Sequence, residues 1–170
     1  MARTKKTDPV IIEMPSQKMA VVTTVGDPNE AGESVFPQLY GTVYSLKFTL
    51  KKQGKTDFKV TGLRAKWPDA HIKPKDSWTG IWGLPVPNDT TELKGKLPSP
   101  KIELQTWEYG TVAQILHIGP YSEEGPTIQR LHEFIGANGY TIAGSHEEEY
   151  LTMPDVKEPK TIIRYPVRKK

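Results

Sequence analysis

The chain has no cysteine among its 170 residues. That excludes a disulfide framework, a thiolate metal site and a thiol nucleophile. It also lacks any apolar run approaching the roughly 20 residues of a membrane-spanning helix. Its first residues, Met-Ala-Arg-Thr-Lys-Lys-Thr-Asp-Pro, lack the apolar centre of a secretory signal. A cytoplasmic protein with no membrane partner is expected. Charge of one sign is scarce, with 23 basic against 20 acidic residues and a net charge of +3. Much of that excess sits at the two ends, in Arg3, Lys5 and Lys6 and in Arg168, Lys169 and Lys170. Such runs read as solubilising tails. With no zinc-finger spacing, phosphate loop or helix-turn-helix pattern, direct sequence-specific DNA binding is not expected. The histidines, His71, His117, His132 and His146, are too scattered for a metal site, and none carries a haem signature. No metal or cofactor is expected. There is no Gly-x-Ser-x-Gly elbow for a serine nucleophile.

What is present is a pattern that occurs twice. Ala20 to Pro28 reads as a strand running into a glycine turn, followed by a helix from Ser34 to Lys52. Val112 to Tyr121 reads the same way, followed by a helix from Pro126 to Asn138. Gly26 and Gly119 lie 93 residues apart, and Gly32 and Gly125 share that offset. In the first helix Val35, Leu39, Val43, Leu46 and Leu50 recur at spacings of three and four and make one apolar stripe. Ser34 suits its N-cap and Pro37 its first turn. In the second helix the stripe is Ile128, Leu131 and Ile135, and Asn138-Gly139 stops it.

Strands are expected over Lys18–Val25, Phe58–Ala65, Thr79–Val86, Ile102–Glu108, Thr111–Ile118, Thr141–Leu151 and Thr161–Val167. The polar, proline-containing segment 88–100 reads as a linker. The expected fold is α+β: a single 1–170 domain of two pseudo-symmetric strand-helix-strand-strand modules, 18–87 and 101–167. Together they would form an antiparallel sheet with two helices and a central ligand cleft.

The most telling stretch is His146-Glu147-Glu148-Glu149-Tyr150-Leu151. Side chains alternate along a strand, so His146, Glu148 and Tyr150 share one face, and Glu147, Glu149 and Leu151 share the other. A Glu-x-Tyr pair on one face can meet a cationic ligand with its carboxylate and stack or donate with its phenol. The competing reading is a solvated acidic edge strand.

These residues also resemble a known family. His117-Ile118-Gly119-Pro120-Tyr121, Leu131-His132-Glu133-Phe134-Ile135, Gly139-Tyr140 and Glu148-Glu149-Tyr150-Leu151, in that order, resemble the GyrI-like small-molecule-binding domain. The resemblance spans roughly Lys18 to Val167. It implies two strand-helix-strand-strand modules with a ligand cleft between them. Such domains serve as the effector-binding part of multidrug-responsive transcription activators. Some stand-alone members hydrolyse cyclopropane-bearing DNA-alkylating natural products, and the founding member is named for modulating DNA gyrase. The family's pocket glutamate maps onto Glu148, its neighbouring tyrosine onto Tyr150, and the Gly-Pro-Tyr tyrosine onto Tyr121. This chain departs from the pattern at Glu147, where many stand-alone relatives have a second histidine. It also has Trp67-Pro68 where relatives often have a tryptophan pair, and its Trp78 to Pro87 segment looks like a subfamily variant.

Two kinds of chemistry fit. As a binding module, a carboxylate at Glu148 in an apolar setting selects a hydrophobic ligand bearing positive charge or a donor. Tyr150, Tyr121, His146, Trp107, Tyr109, Trp82 and Trp67 would line the site, their rings adding cation–π attraction where they are not simply core. As a hydrolase, Glu148 would act as general base on water, with Tyr121 or Tyr150 bonding the carbonyl that gains charge. His146 is then either a proton relay or a satisfied structural histidine. An interaction module acting on gyrase or another protein partner, and a homodimer, are also compatible with the sequence.

Overall fold

The computed structural model of the protein describes residues 6–31, 33, 35–55, 57–93, 102–153 and 155–170. Arg3, Lys5, Gly32, Ser34 and most of the expected linker 88–100 lie outside them. In chain order the elements are β1 (Val10–Met14), β2 (Gln17–Val25), the single-turn α1 (Pro28–Ala31), α2 (Phe36–Lys52), β3 (Arg64–Trp67), β4 (Thr79–Pro85), β5 (Glu103–Trp107), β6 (Gly110–Ile118), α3 (Glu124–Ala137), β7 (Tyr140–Ile142), β8 (His146–Tyr150) and β9 (Lys160–Lys169). Short 3-10 turns precede β4 and α3. The strands pair antiparallel and the fold is α+β. The chain divides into two compact units, Ser16–Glu108 and Met1–Pro15 with Tyr109–Lys170.

Both units repeat one device. Gly26 after β2 and Gly119 after β6 have φ of 134° and 131°, values that favour glycine. Each glycine N–H bonds, at 2.9 Å, the carbonyl just before a later strand: Gly26 to Trp78 ahead of β4, and Gly119 to Pro159 ahead of β9. The repeat read from glycine spacing is therefore a repeat of backbone geometry.

In the 16–108 unit the strand order is β3-β4-β2-β5. α2 packs on β2 and β4, burying Leu39 and Val43 fully. Val35 occupies the N-cap position with no side-chain capping bond. Trp82 is the hub. Phe36 and Trp67 meet it edge-on at 4.8 and 4.9 Å, and its N–H donates to the Thr24 hydroxyl at 2.8 Å. Trp107 is buried under the Lys66 ammonium, 4.1 Å from the ring centre. The expected strand Phe58–Ala65 is displaced to Arg64–Trp67. The Phe58 carbonyl is taken instead by Lys47 Nζ at 2.6 Å, which also pairs with Asp57. That segment is held by a side chain rather than by a ladder.

In the other unit the order is β1-β6-β9-β8, with β7 also on β9. β1 was not foreseen. It pairs with β6 from Val10↔Gln114 to Met14↔Gly110. On one face Ala113, Ile115, Ile163, Tyr165 and Val167 pack under Leu131 and Ile135 of α3. Burying each such aliphatic side chain is worth about 1.5–3 kcal/mol. The run 140–150 is two strands rather than one. Ile142 pairs with Val167 and Glu147 with Arg164, so β7–β8 spends two residues more than β9 does. The bulge forms at Pro166, which has no N–H to offer the ladder and whose ring lies against Gly144. Arg168 and Lys169 are not a tail: they pair with Thr141 and Tyr140 and complete β9.

On the opposite face sits a buried ion cluster. Arg164 donates to Glu147 at 2.6 Å, to Glu149 at 3.1 Å and to Gln114 at 3.0 Å. The Tyr109 hydroxyl donates to the other Glu147 oxygen at 3.0 Å. Burial opposes the charge on Arg164, but Glu147, Glu149 and Tyr109 hold its pKa above the usual value. Removing the cation alone would strand two carboxylates. Arg164→Leu is expected to lower stability by about 3–5 kcal/mol in urea titration, and Arg164→Leu with Glu147→Leu to recover most of that loss.

Candidate functional site

Alternation along β8 does what the sequence predicts. Glu147 and Glu149 turn to Arg164, leaving His146, Glu148 and Tyr150 on the face covered by α3. Glu148 is 8% exposed, so it is no solvated edge residue. Its Oε2 lies 2.6 Å from His146 Nε2, and His146 Nδ1 lies 2.7 Å from the Tyr165 hydroxyl. Burial first, and then Glu148 and Glu124, push the Tyr165 phenol up to about 12. Tyr165 therefore keeps its proton. His146 bridges that phenol and the Glu148 carboxyl, one through each ring nitrogen. His132 on α3 meets the same phenol edge-on at 5.0 Å.

The second carboxyl is Glu124, the first residue of α3 and also 8% exposed. Burial, then the charge of Glu148 and a hydrogen bond with it, push its carboxyl up to about 9. At neutral pH the Glu124 carboxyl is thus held protonated. Its Oε1 is buried with no hydrogen-bond partner among the described residues. A carboxylate at a helix N-terminus is usually favoured by the helix dipole. Here burial and a facing carboxylate outweigh the dipole.

The turn that carries Tyr121 and leads into α3 is anchored from β6. His117 Nε2 donates to the Pro120 carbonyl at 3.1 Å, so its Nδ1 accepts from the Thr127 hydroxyl at 2.7 Å. Both nitrogens are satisfied and His117 is structural. Tyr121 stands edge-on to Tyr150, ring centres 5.7 Å apart, and is 40% exposed. Burial, Glu148 and Glu124 raise its pKa, so it too is a neutral donor. Tyr121 is exposed and its partner Tyr150 is half-buried, while Glu148, Glu124 and Tyr165 are buried.

The structure thus brings together four of the residues named from sequence: Glu148, His146, Tyr150 and Tyr121. Tyr109 is spent on Glu147, on the other face of β8. Trp67, Trp82 and Trp107 belong to the 16–108 unit and pack within it. Glu124, Tyr165 and His132 were missed. Glu124 lay in what read as an acidic loop, because the helix was expected to start at Pro126. Tyr165 shares the Ile163 and Val167 face of β9, a period-two signal that reads as core until the β8–β9 pairing is known. Among the described residues no three acidic or histidine side chains are grouped to hold a metal, and no helix is long and apolar enough to cross a membrane.

An α+β domain with repeated strand-helix-strand units and a buried glutamate on its sheet fits a small-molecule-binding class. The chain belongs to the GyrI-like small molecule binding domain family, whose model matches residues 7–168. Comparison with curated proteins gave no match. Among solved structures, an uncharacterized conserved protein from Listeria innocua is 27% identical at a TM-score of 0.84, covering 96% of this chain and 93% of that one. A hydrolase from Listeria innocua is 26% identical at 0.81, covering 97% and 94%. The EcmrR C-terminal domain shares the fold at 19% identity and a TM-score of 0.63, covering 96% and 98%.

Glu124 is neutral and buried in the folded protein but has an ordinary carboxyl pKa once unfolded. Its folded pKa is raised, so the native state loses stability as pH climbs from the unfolded value, about 4.3, through about 9. Glu124→Gln is expected to flatten that decline and to raise Tm at pH 8 by several degrees. Thermal melts of both proteins between pH 5 and pH 9 check this.

Proposed function

We propose that this domain binds hydrophobic cations, with Glu148 as the charged anchor. The observation that carries the reading is the burial of the Glu148 carboxyl, 8% exposed, with His146 Nε2 at 2.6 Å and no arginine or lysine bonded to it among the described residues. Burying a carboxylate is costly, and a cation brought by the ligand offsets that cost. Tyr121 and Tyr150 supply π faces beside it, worth about 0.5–2 kcal/mol where a cation lies over a ring. The anchor is also held rigidly, since Glu148 is fixed by His146, itself fixed by Tyr165.

Two solved structures of hydrolases from Listeria innocua, each 26% identical to this chain, favour a second reading. Here Glu148 would take a proton from water as general base, and the water oxygen would open a strained cyclopropane activated by a carbonyl. The neutral Tyr121 phenol would donate to the carbonyl oxygen as it gains charge.

The two readings separate on one variant. By calorimetry, Glu148→Gln is expected to weaken tetraphenylphosphonium by about tenfold or more, roughly 1.4 kcal/mol, while a neutral tetraphenyl analogue changes little. Equal losses would overturn the electrostatic anchor. Ring-opened product from a cyclopropane-bearing alkylator, seen by mass spectrometry with wild type and absent with Glu148→Gln, would establish the hydrolase.

A further inference from the structure

Thr161 lies near the start of β9, on the face covered by α3. It stands two residues before Ile163 and four before Tyr165, and both of these pack under α3. Its side chain is completely buried, at 0% exposed, and its hydroxyl has no hydrogen-bond partner among the described residues. The neighbours across the ladder do not take it up. On β6 the residue opposite is His117, whose two nitrogens go to the Thr127 hydroxyl and the Pro120 carbonyl. On β8 the residue opposite is Tyr150. Burying a hydroxyl without a partner costs free energy. Valine, with the same branching and no hydroxyl, would avoid that cost. A buried group of this kind calls for a partner from outside the fold.

Its place on the sheet says what that partner belongs to. Tyr150 pairs with Thr161 and Glu148 with Ile163, so Thr161 and Glu148 are diagonal neighbours on one face. Diagonal neighbours on adjacent strands lie about 7–8 Å apart. A ligand whose cation meets Glu148 can reach Thr161 with a polar group a short way along its body. The approach is from the tyrosine side. Tyr150 is only half-buried, and it stands edge-on to the exposed Tyr121.

We propose that Thr161 is a specificity-determining residue, whose hydroxyl donates to a carbonyl or amide oxygen of a cationic ligand anchored at Glu148. The proposal rests on the cationic reading of Glu148. The preferred ligand is then an organic cation with such an oxygen about 7–8 Å from its charge, the diagonal spacing of the two side chains. Cations that are hydrocarbon throughout leave the hydroxyl unpaired and bind less tightly.

The test is calorimetric titration of the full chain with two probes of equal charge. One is tetraphenylphosphonium. The other is (4-carbamoylphenyl)triphenylphosphonium, which adds a neutral amide para to the phosphorus. Wild type is expected to bind the amide probe about three- to tenfold more tightly, the worth of one neutral hydrogen bond. Thr161→Ser should keep that preference. Thr161→Val should lose it, the two probes then binding alike. Thr161→Val should also melt no lower than wild type, because it gives up no hydrogen bond within the protein. Equal affinity of wild type for both probes, each still weakened by Glu148→Gln, would overturn the role of Thr161 and leave the anchor standing. A preference that survives in Thr161→Val would do the same, as would a clear drop in its Tm, which would mean the hydroxyl is spent inside the fold. No binding of either probe would overturn the anchor and the proposal together. The comparison of the two probes on wild type needs no variant to fold.

Discussion

One buried cation sets the geometry of the whole acidic strand. β8 carries three consecutive glutamates, and a strand cannot place all three in water when it is paired on β9 and covered by a helix. Arg164, directly across the ladder from Glu147, resolves this by collecting Glu147 and Glu149 on one face. An ion pair buried this deeply adds little net stability against an apolar substitute. What it adds is register. A slip of one residue would put Glu147 under α3 and Glu148 against Arg164, exchanging an uncompensated carboxylate for a paired one and the reverse. The pairing that is energetically acceptable is also the one that turns Glu148 away from Arg164.

The other face is the complement of that arrangement. Tyr165 orients His146, and His146 meets Glu148, while burial and the nearby Glu148 hold the Glu124 carboxyl protonated at the start of α3. No arginine or lysine bonds Glu148 among the described residues, whereas Arg164 collects Glu147 and Glu149 on the other face. The strand thus pairs two of its glutamates with an arginine and turns the third toward a histidine, the arrangement that the cationic-ligand reading needs of its anchor.

The parts of this that could be read from the chain are those set by local periodicity. Alternation alone placed His146, Glu148 and Tyr150 together, and the glycine spacing foretold matching turns at Gly26 and Gly119. The helical stripes of α2 and α3 followed from three- and four-residue spacing. What could not be read depends on pairing between distant segments. Glu124 belongs to the site because α3 begins two residues earlier than Pro126 suggested, and Tyr165 because β9 lies beside β8. β1 was missed because Val10 to Met14 is too short to declare itself, and β3 was misplaced because Lys47 captures the Phe58 carbonyl. Nor could spacing show that Glu147 and Glu148, adjacent and both buried, live in opposite electrostatic environments.

That last point bears on how this chain differs from the pattern it resembles. Where many stand-alone relatives carry a second histidine, it has Glu147. Seen only as sequence, a change adjacent to the pocket glutamate looks like a change of specificity. The structure places Glu147 on the far side of the sheet, accepting from Arg164 and Tyr109 and 2% exposed. A residue turned that way reaches a ligand at Glu148 only through the backbone of β8. The departure therefore acts on how β8 is held, while the groups proposed to meet a ligand lie on the α3 face, around Glu148. Differences in ligand preference within the family should be sought on that face, in the partners of the glutamate rather than in its sequence neighbour.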